Sequence, residues 1–423
     1  GSDVRAAHLG DIPTGTGINP GTRNITRVAP DFHEPRTYGW SLGVQHELTH
    51  TMVLEVRYVG NYVDGNFQTV NGNPELDGLV ANGFSSFIPA GVTPCATAGT
   101  PGFGTERADC SLTNLRVREN TAWSDYHGLQ SQLRIRNWHG LSGGFSYTFS
   151  KTLDNSSEIF STGSGGTTVA GAQNPYNLSA SEKARSGLDF PNLASLYFIY
   201  ELPFYKRQQG LLGHVLGGYQ ISGDWHFSVG QLWTPVTFPG NNSSCQTSFD
   251  NTYFGYSTCR MFNGSTSAKV DTMGLCTDPT AADCGLIDYF AFFGPNQAVV
   301  PVSKNSVRWI YNDDNAAAFF GTPYGNASRN PGYRGDNVNA VNFSLFKTVK
   351  LNEKMSMRLE AQVYNLFNHR FLGVPDPIVD DGNLANGGTF GNNFSNSSGS
   401  GYTNATSTGL GIRRMILGAK FTF

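Results

Sequence analysis

The sequence predicts an all-β chain, an antiparallel transmembrane β-barrel portion of about nine strands carrying long extracellular loops. Three observations predict it. Apolar and polar residues alternate with period two in nine segments. The connections between those segments alternate strictly between short and long. The composition is polar without being charged: charged residues make up 14%, aromatics 13%, and glycines number 51 among 423 residues. A soluble domain carries roughly 25% charged residues.

The segments pair as hairpins. In "TYGWSLGVQHEL" Tyr38, Trp40, Leu42 and Val44 share one face, and in "MVLEVRYVGN" Met52, Leu54, Val56 and Tyr58 do so. The second pair, "GLQSQLRIR" and "LSGGFSYTFSKTLD", turns at Asn137–Gly140 and alternates Leu129, Leu133 and Ile135, then Phe145, Tyr147 and Phe149, with polar residues. "LASLYFIYEL" and "GGYQISGDWHFSVGQLW" form the third pair. "VNAVNFSLFKTVKL" and "MSMRLEAQVYNLF" form the fourth, turning at Asn352–Lys354. The last strand, from about Gly409 to Phe423, stands alone and ends the chain in "LGAKFTF".

Each apolar face runs about ten residues, the length a tilted membrane-spanning strand needs. Long connections, roughly 60, 35, 100 and 40 residues, follow every second strand and are too long for a compact domain. They cover about 62–122, 154–187, 234–336 and 369–408. Short turns at one end and long loops at the other are the pattern of outer-membrane barrels, whose backbone groups must pair internally in lipid. Residues 1–35 lack alternation and are expected to be the tail of an extracellular loop, with the barrel portion at 36–423. Loop 234–336 has room for a further hairpin around "LIDYFAFFG".

No run of about 18 apolar residues exists, which excludes an α-helical span, and mean hydropathy is −0.30. The N-terminus has no apolar signal core. A net charge of −3 gives no electrostatic footprint for nucleic acid. Cys95, Cys110, Cys245, Cys259, Cys276 and Cys284 sit in loops without zinc-ligand spacing. Three local disulfides are expected in an oxidising compartment, Cys95–Cys110, Cys245–Cys259 and Cys276–Cys284.

"FHEPRTYGWSLGVQHEL", "YHGLQSQLRIRNWHGLSGGFSYTFSKTLD", "NPYNLSASEKARSGLDFPNLASLYFIYELPF", "NFSLFKTVKLNEKMSMRLEAQVYNLFNH" and the terminal "LGAKFTF" resemble successive C-terminal barrel segments of TonB-dependent receptors. The Oar-like branch is the most similar. The resemblance implies a roughly 22-stranded barrel around an N-terminal plug. This chain would then supply its last strands, with plug, Ton box and earlier strands elsewhere. It implies as partners those remaining strands and plug, the TonB complex through the missing part, outer-membrane lipid and lipopolysaccharide. Gly418, Phe421 and Phe423 resemble the C-terminal signal read by barrel-assembly machinery.

No catalytic constellation, metal site or cofactor site is expected. "GSGG" at 163–166 is a loop, and Asp380–Gly382 and Asn312–Asn315 are turn chemistry without the spaced carboxylates of a calcium loop. Glu55, Arg57, Arg134, Arg136, Arg358 and Glu360 should face the lumen, there either to solvate the interior and meet a plug or to line a substrate path. Any barrel this wide needs a polar interior, which favours the first. The loop aromatics Tyr253, Phe254, Tyr256, Tyr289, Phe290, Phe292 and Phe293 are the candidate ligand contacts, or else the private core of a folded loop. Arg413 falls near the outer leaflet, where lipopolysaccharide phosphates lie. A nutrient receptor is the function this supports; a surface structural or adhesin-type protein is the alternative.

Overall fold

β-branched and aromatic residues at every second position favour extended chain. In a computed structural model the chain builds β1 (Ile25–Val28), β2 (Arg36–Thr49), β3 (Met52–Asn71), β4 (Leu115–Trp138), β5 (Leu141–Asp154), β6 (Ala184–Arg185), β7 (Asn192–Glu201) and β8 (Tyr219–Ser228). It continues with β9 (Phe262–Asn263), β10 (Met273–Cys276), β11 (Leu286–Asp288), β12 (Trp309–Ile310), β13 (Val338–Lys350), β14 (Ser356–Tyr364) and β15 (Arg414–Thr422). The structure describes residues 25–94, 107, 109, 115–157, 172–178, 182–236, 245, 259–270, 272–293, 297–352, 355–369 and 412–423.

The long strands form one antiparallel meander in the order β15-β14-β13-β8-β7-β5-β4-β3-β2. Its edges do not pair with each other among the described residues, so the sheet is open. Every residue of β2 and of β15 is exposed. Leu42 and Leu417, at opposite edges, are 76% and 79% accessible.

The register keeps one apolar face across the sheet. Leu54 stands opposite His46 and Leu133, Leu133 opposite Phe145, and Phe145 opposite Leu196. Leu196 then meets Trp225, Trp225 meets Val341, Phe343 meets Val363, and Val363 meets Met415. Glycines make room for rings within it. A Cβ at Gly60 would lie 2.2 Å from Trp40 Cε2, and one at Gly223 would lie 2.9 Å from Phe198 Cε1.

The structure differs from the predicted boundaries in four places. First, β3 and β4 run on to Asn71 and from Leu115, well into the span expected to be loop 62–122. The register slips between Val63 and Gln68, where Gly65 has φ 69°, a left-handed value that suits glycine and marks a bulge. Second, residues 25–28, expected to be irregular tail, form β1, parallel to β4 at residues 115–118. There β4 has outrun β5, and its bare edge takes a partner. Third, "LID" is no membrane hairpin. β11 joins a separate sheet in the loop, ordered β11-β10-β12-β9. Fourth, the connection from β7 to β8, expected to be one of the short ones, contains the helix Gly210–Leu216.

Buried charges clamp the loops onto the strand ends. Glu182 accepts from Arg260 Nη1 at 2.7 Å and Nη2 at 3.2 Å. Arg329 pairs with Asp154 at the end of β5, donates to the Glu182 carbonyl and, at 2.8 Å, to Ser157 Oγ. All four charged side chains are 3% accessible or less. Two guanidiniums and two carboxylates compensate each other, and breaking one side leaves a buried charge.

Two substitutions test this. Glu182→Gln should cost about 3–5 kcal/mol of loop stability, read as early thermal exposure of the loops to protease with the barrel still folded. A Cβ at Gly143 would lie 2.4 Å from the Tyr197 carbonyl oxygen, whereas one at Gly39 meets nothing within 4 Å. Gly143→Ala should therefore destabilise the folded barrel by about 1–3 kcal/mol, against about 0.5 or less for Gly39→Ala, measured by thermal unfolding in detergent.

Candidate functional site: the polar face and the loop body

The face opposite the apolar one carries the predicted lumenal charges. Glu55 stands opposite Gln132, Arg57 opposite Gln130, and Arg134 opposite Gly144. Glu55, Arg57, Gln130, Gln132 and Arg134, together with Ser131, Ser146 and Thr148, line a groove of about 340 Å³ across β3, β4 and β5. Its charges are paired along the strand: Arg57 Nη2 lies 2.6 Å from Glu55 Oε1, and Arg134 Nη2 donates to Gln132 Oε1 at 2.7 Å. Arg136 follows two residues on, beside the turn.

Arg358 and Glu360 lie on the same face but not in the groove, since β14 is separated from β5 by β7, β8 and β13. Arg358 Nε is 3.5 Å from Glu360 Oε1, and its guanidinium lies 4.1 Å from the centroid of Phe346. The structure adds residues to this face: Asp224 accepts from Asn342 Nδ2 at 2.8 Å and lies 3.4 Å from His226 Nε2. Gln362 Nε2 extends the pattern to Glu360 Oε2 at 3.2 Å. The face thus carries a ladder of polar pairs, able to bind by hydrogen bonding and to hold water.

The loop body above the strand ends has its own core. Trp233, Met261, Met273, Ile287, Tyr289, Trp309 and Tyr311 form one buried cluster, and Phe262, Leu286, Val307, Ile310 and Ala316 another. Tyr289 is 2% accessible and packs tilted against Tyr311, with centroids 4.7 Å apart. Phe290 and Phe292 pack partly buried on that cluster, while Phe293 is exposed. Tyr253, Phe254 and Tyr256 lie outside the described residues. Disulfides Cys245–Cys259 and Cys276–Cys284 are formed, with Cα separations of 5.9 and 5.2 Å. Cys95 and Cys110 lie outside the described residues. Phe421 is 60% and Phe423 94% accessible, and Gly418 stands opposite Glu360.

Asn312–Asn315 is structural. Asp313 caps the helix Asp314–Phe320, its Oδ1 accepting from Ala316 N at 2.8 Å. Asn312 Nδ2 donates to the Arg260 carbonyl at 2.8 Å. Burial, and then the neighbouring Asp314 charge, push the Asp313 carboxyl up to about 6. A raised carboxyl favours the fold below the ordinary aspartate value, and that contribution is lost as pH rises through about 6. Asp313→Asn keeps the cap. It should match the parent at pH 4 and exceed it at pH 8 by on the order of 2 kcal/mol, measured as the loop's resistance to thermolysin across pH.

A family model described as outer membrane beta barrel domain matches residues 5–415. A search of the curated proteins gives no match. Among solved structures, the outer membrane transporter YddB from Escherichia coli aligns over 95% of this chain and 34% of its own, at 8% identity and TM-score 0.38. The FrpB iron transporter from Neisseria meningitidis aligns over 95% and 33%, at 8% identity and TM-score 0.33. The siderophore receptor PirA from Acinetobacter baumannii aligns over 79% and 28%, at 10% identity and TM-score 0.29. The chain spans about a third of the length of these structures. With its meander of membrane-length strands and the match over nearly its whole length, the chain belongs to the outer membrane beta barrel domain family.

Proposed function

We propose that this chain is the C-terminal barrel portion of a TonB-dependent outer-membrane receptor that takes up a bulky nutrient. The observation that carries this reading is the open sheet: its polar face runs from Glu55 to Glu360 with its two edge strands bare. A sheet with that inner face needs further strands to close, and the resulting lumen is wide enough for a plug. The folded loop body, taken as extracellular, would meet the nutrient first, and the paired lumenal side chains would hydrate its path. The work is binding and transport, with no covalent chemistry. TonB would act through a part outside this sheet, and the terminal Phe421 and Phe423 would present the chain to the assembly machinery.

The test is intact mass and single-particle density of the complete protein extracted from the outer membrane. The expected result is a barrel of about 22 strands with a filled lumen, in which β15 pairs with a strand outside β2–β14. A barrel that closes on this sheet alone, or on copies of it, overturns the proposal and leaves a surface structural role.

A further inference from the structure

The helix Gly210–Leu216 is built the wrong way round for water. Leu211, Leu212, Val215 and Leu216 form a stripe at i, i+1, i+4 and i+5. That stripe is exposed, with Leu211 83% and Leu212 65% accessible. The buried residue is Gly213, where a Cβ would lie 2.8 Å from the Gln208 carbonyl carbon. The apolar side therefore points away from the protein. Phe204 and Tyr205, in the approach to the helix, are also exposed, and Lys206 and Arg207 follow them.

The helix is fixed to the apolar side of the sheet. Lys347 on β13 stands opposite Tyr219 and Leu359, within the apolar face. Its Nζ donates to the carbonyls of His214 at 2.6 Å, Val215 at 3.1 Å and Gly217, and lies 4.3 Å from the Tyr219 ring centroid. The ammonium thus caps the helix C-terminus, where a cation suits the helix dipole. Gln208 holds the approach by donating to the Thr348 carbonyl at 2.8 Å and accepting from Lys350 N at 3.0 Å. The level is that of the chain's end, since Leu359 pairs with Ala419 and Met357 with Phe421.

We propose that this helix lies in the phospholipid leaflet at the short-turn end of the barrel, with its apolar stripe among the acyl chains. Lys206 and Arg207 then sit at headgroup phosphates, the arrangement of an interfacial amphipathic helix. The argument for lipid is continuity: the stripe extends the apolar face of Tyr219, Leu345 and Leu359 that the bilayer already covers. The inference rests on the outer-membrane placement of the sheet, and calling the leaflet periplasmic rests on the orientation proposed above.

The experiment uses the complete protein reconstituted in phosphatidylcholine vesicles, with an environment-sensitive fluorophore on Leu212→Cys. Leu417→Cys reports the sheet's apolar face and His214→Cys the helix's other side. The parent protein gives the background labelling. Expected are blue-shifted emission at positions 212 and 417, with 212 quenched several-fold more by a lipid spin-labelled near the headgroup than by aqueous iodide, and 214 the reverse. Lys347→Met should release the helix, lowering lipid quenching at 212 at least twofold with 417 unchanged. Iodide quenching at 212 while 417 reports lipid overturns the helix proposal alone. A blue shift at 212 that no lipid quencher reaches means protein covers the stripe, and also overturns it. Loss of the lipid signal at 417 overturns the membrane placement itself.

Discussion

In hydrocarbon an unpaired peptide N–H or C=O has no water to turn to. That constraint organises the chain. It makes each strand between the two edges pair on both sides, so the long strands run as one meander from β2 to β15. It fixes the register tightly, because a slip of one residue would carry Arg57 or Arg134 onto the lipid face. It also gives meaning to the two bare edges, which present rows of unpaired N–H and C=O groups.

The loops answer to water and to each other instead. A long segment stays ordered only by burying something, and here it buries aromatic rings, two disulfides and a small sheet of its own. Its attachment to the strands is ionic. The Glu182 carboxylate between Arg260 and Arg329, with Asp154 on β5, joins two loops and a strand end at one buried point. Such a network costs desolvation and returns geometry, because the guanidinium forks accept few arrangements. It therefore sets how the loop body stands on the end of β5.

At the opposite end the same face-by-face logic extends beyond strands. Lys347 would be costly on an apolar face, but the carbonyls at the end of Gly210–Leu216 receive it. One device satisfies a cation and a helix end together.

Much of this was legible in the amino-acid order. Period two, the spacing of turns and the sign of each face depend on neighbours in sequence, so Leu54, Glu55, Val56 and Arg57 announced their faces directly. The disulfides Cys245–Cys259 and Cys276–Cys284 were legible for the same reason, each closing a short local loop. The small loop sheet, the added strand β1, and the partners of Arg260 and Arg329 were not. Those contacts join residues tens to more than a hundred positions apart, and no periodicity encodes them. Nor could sequence say which glycines make room for rings, since Gly223 meets Phe198 only through the register of β7 on β8. The order of residues determined the strands and their two faces, because alternation is local. The tertiary structure decided which charges are buried together and where the short helix points, because those depend on what the fold brings alongside.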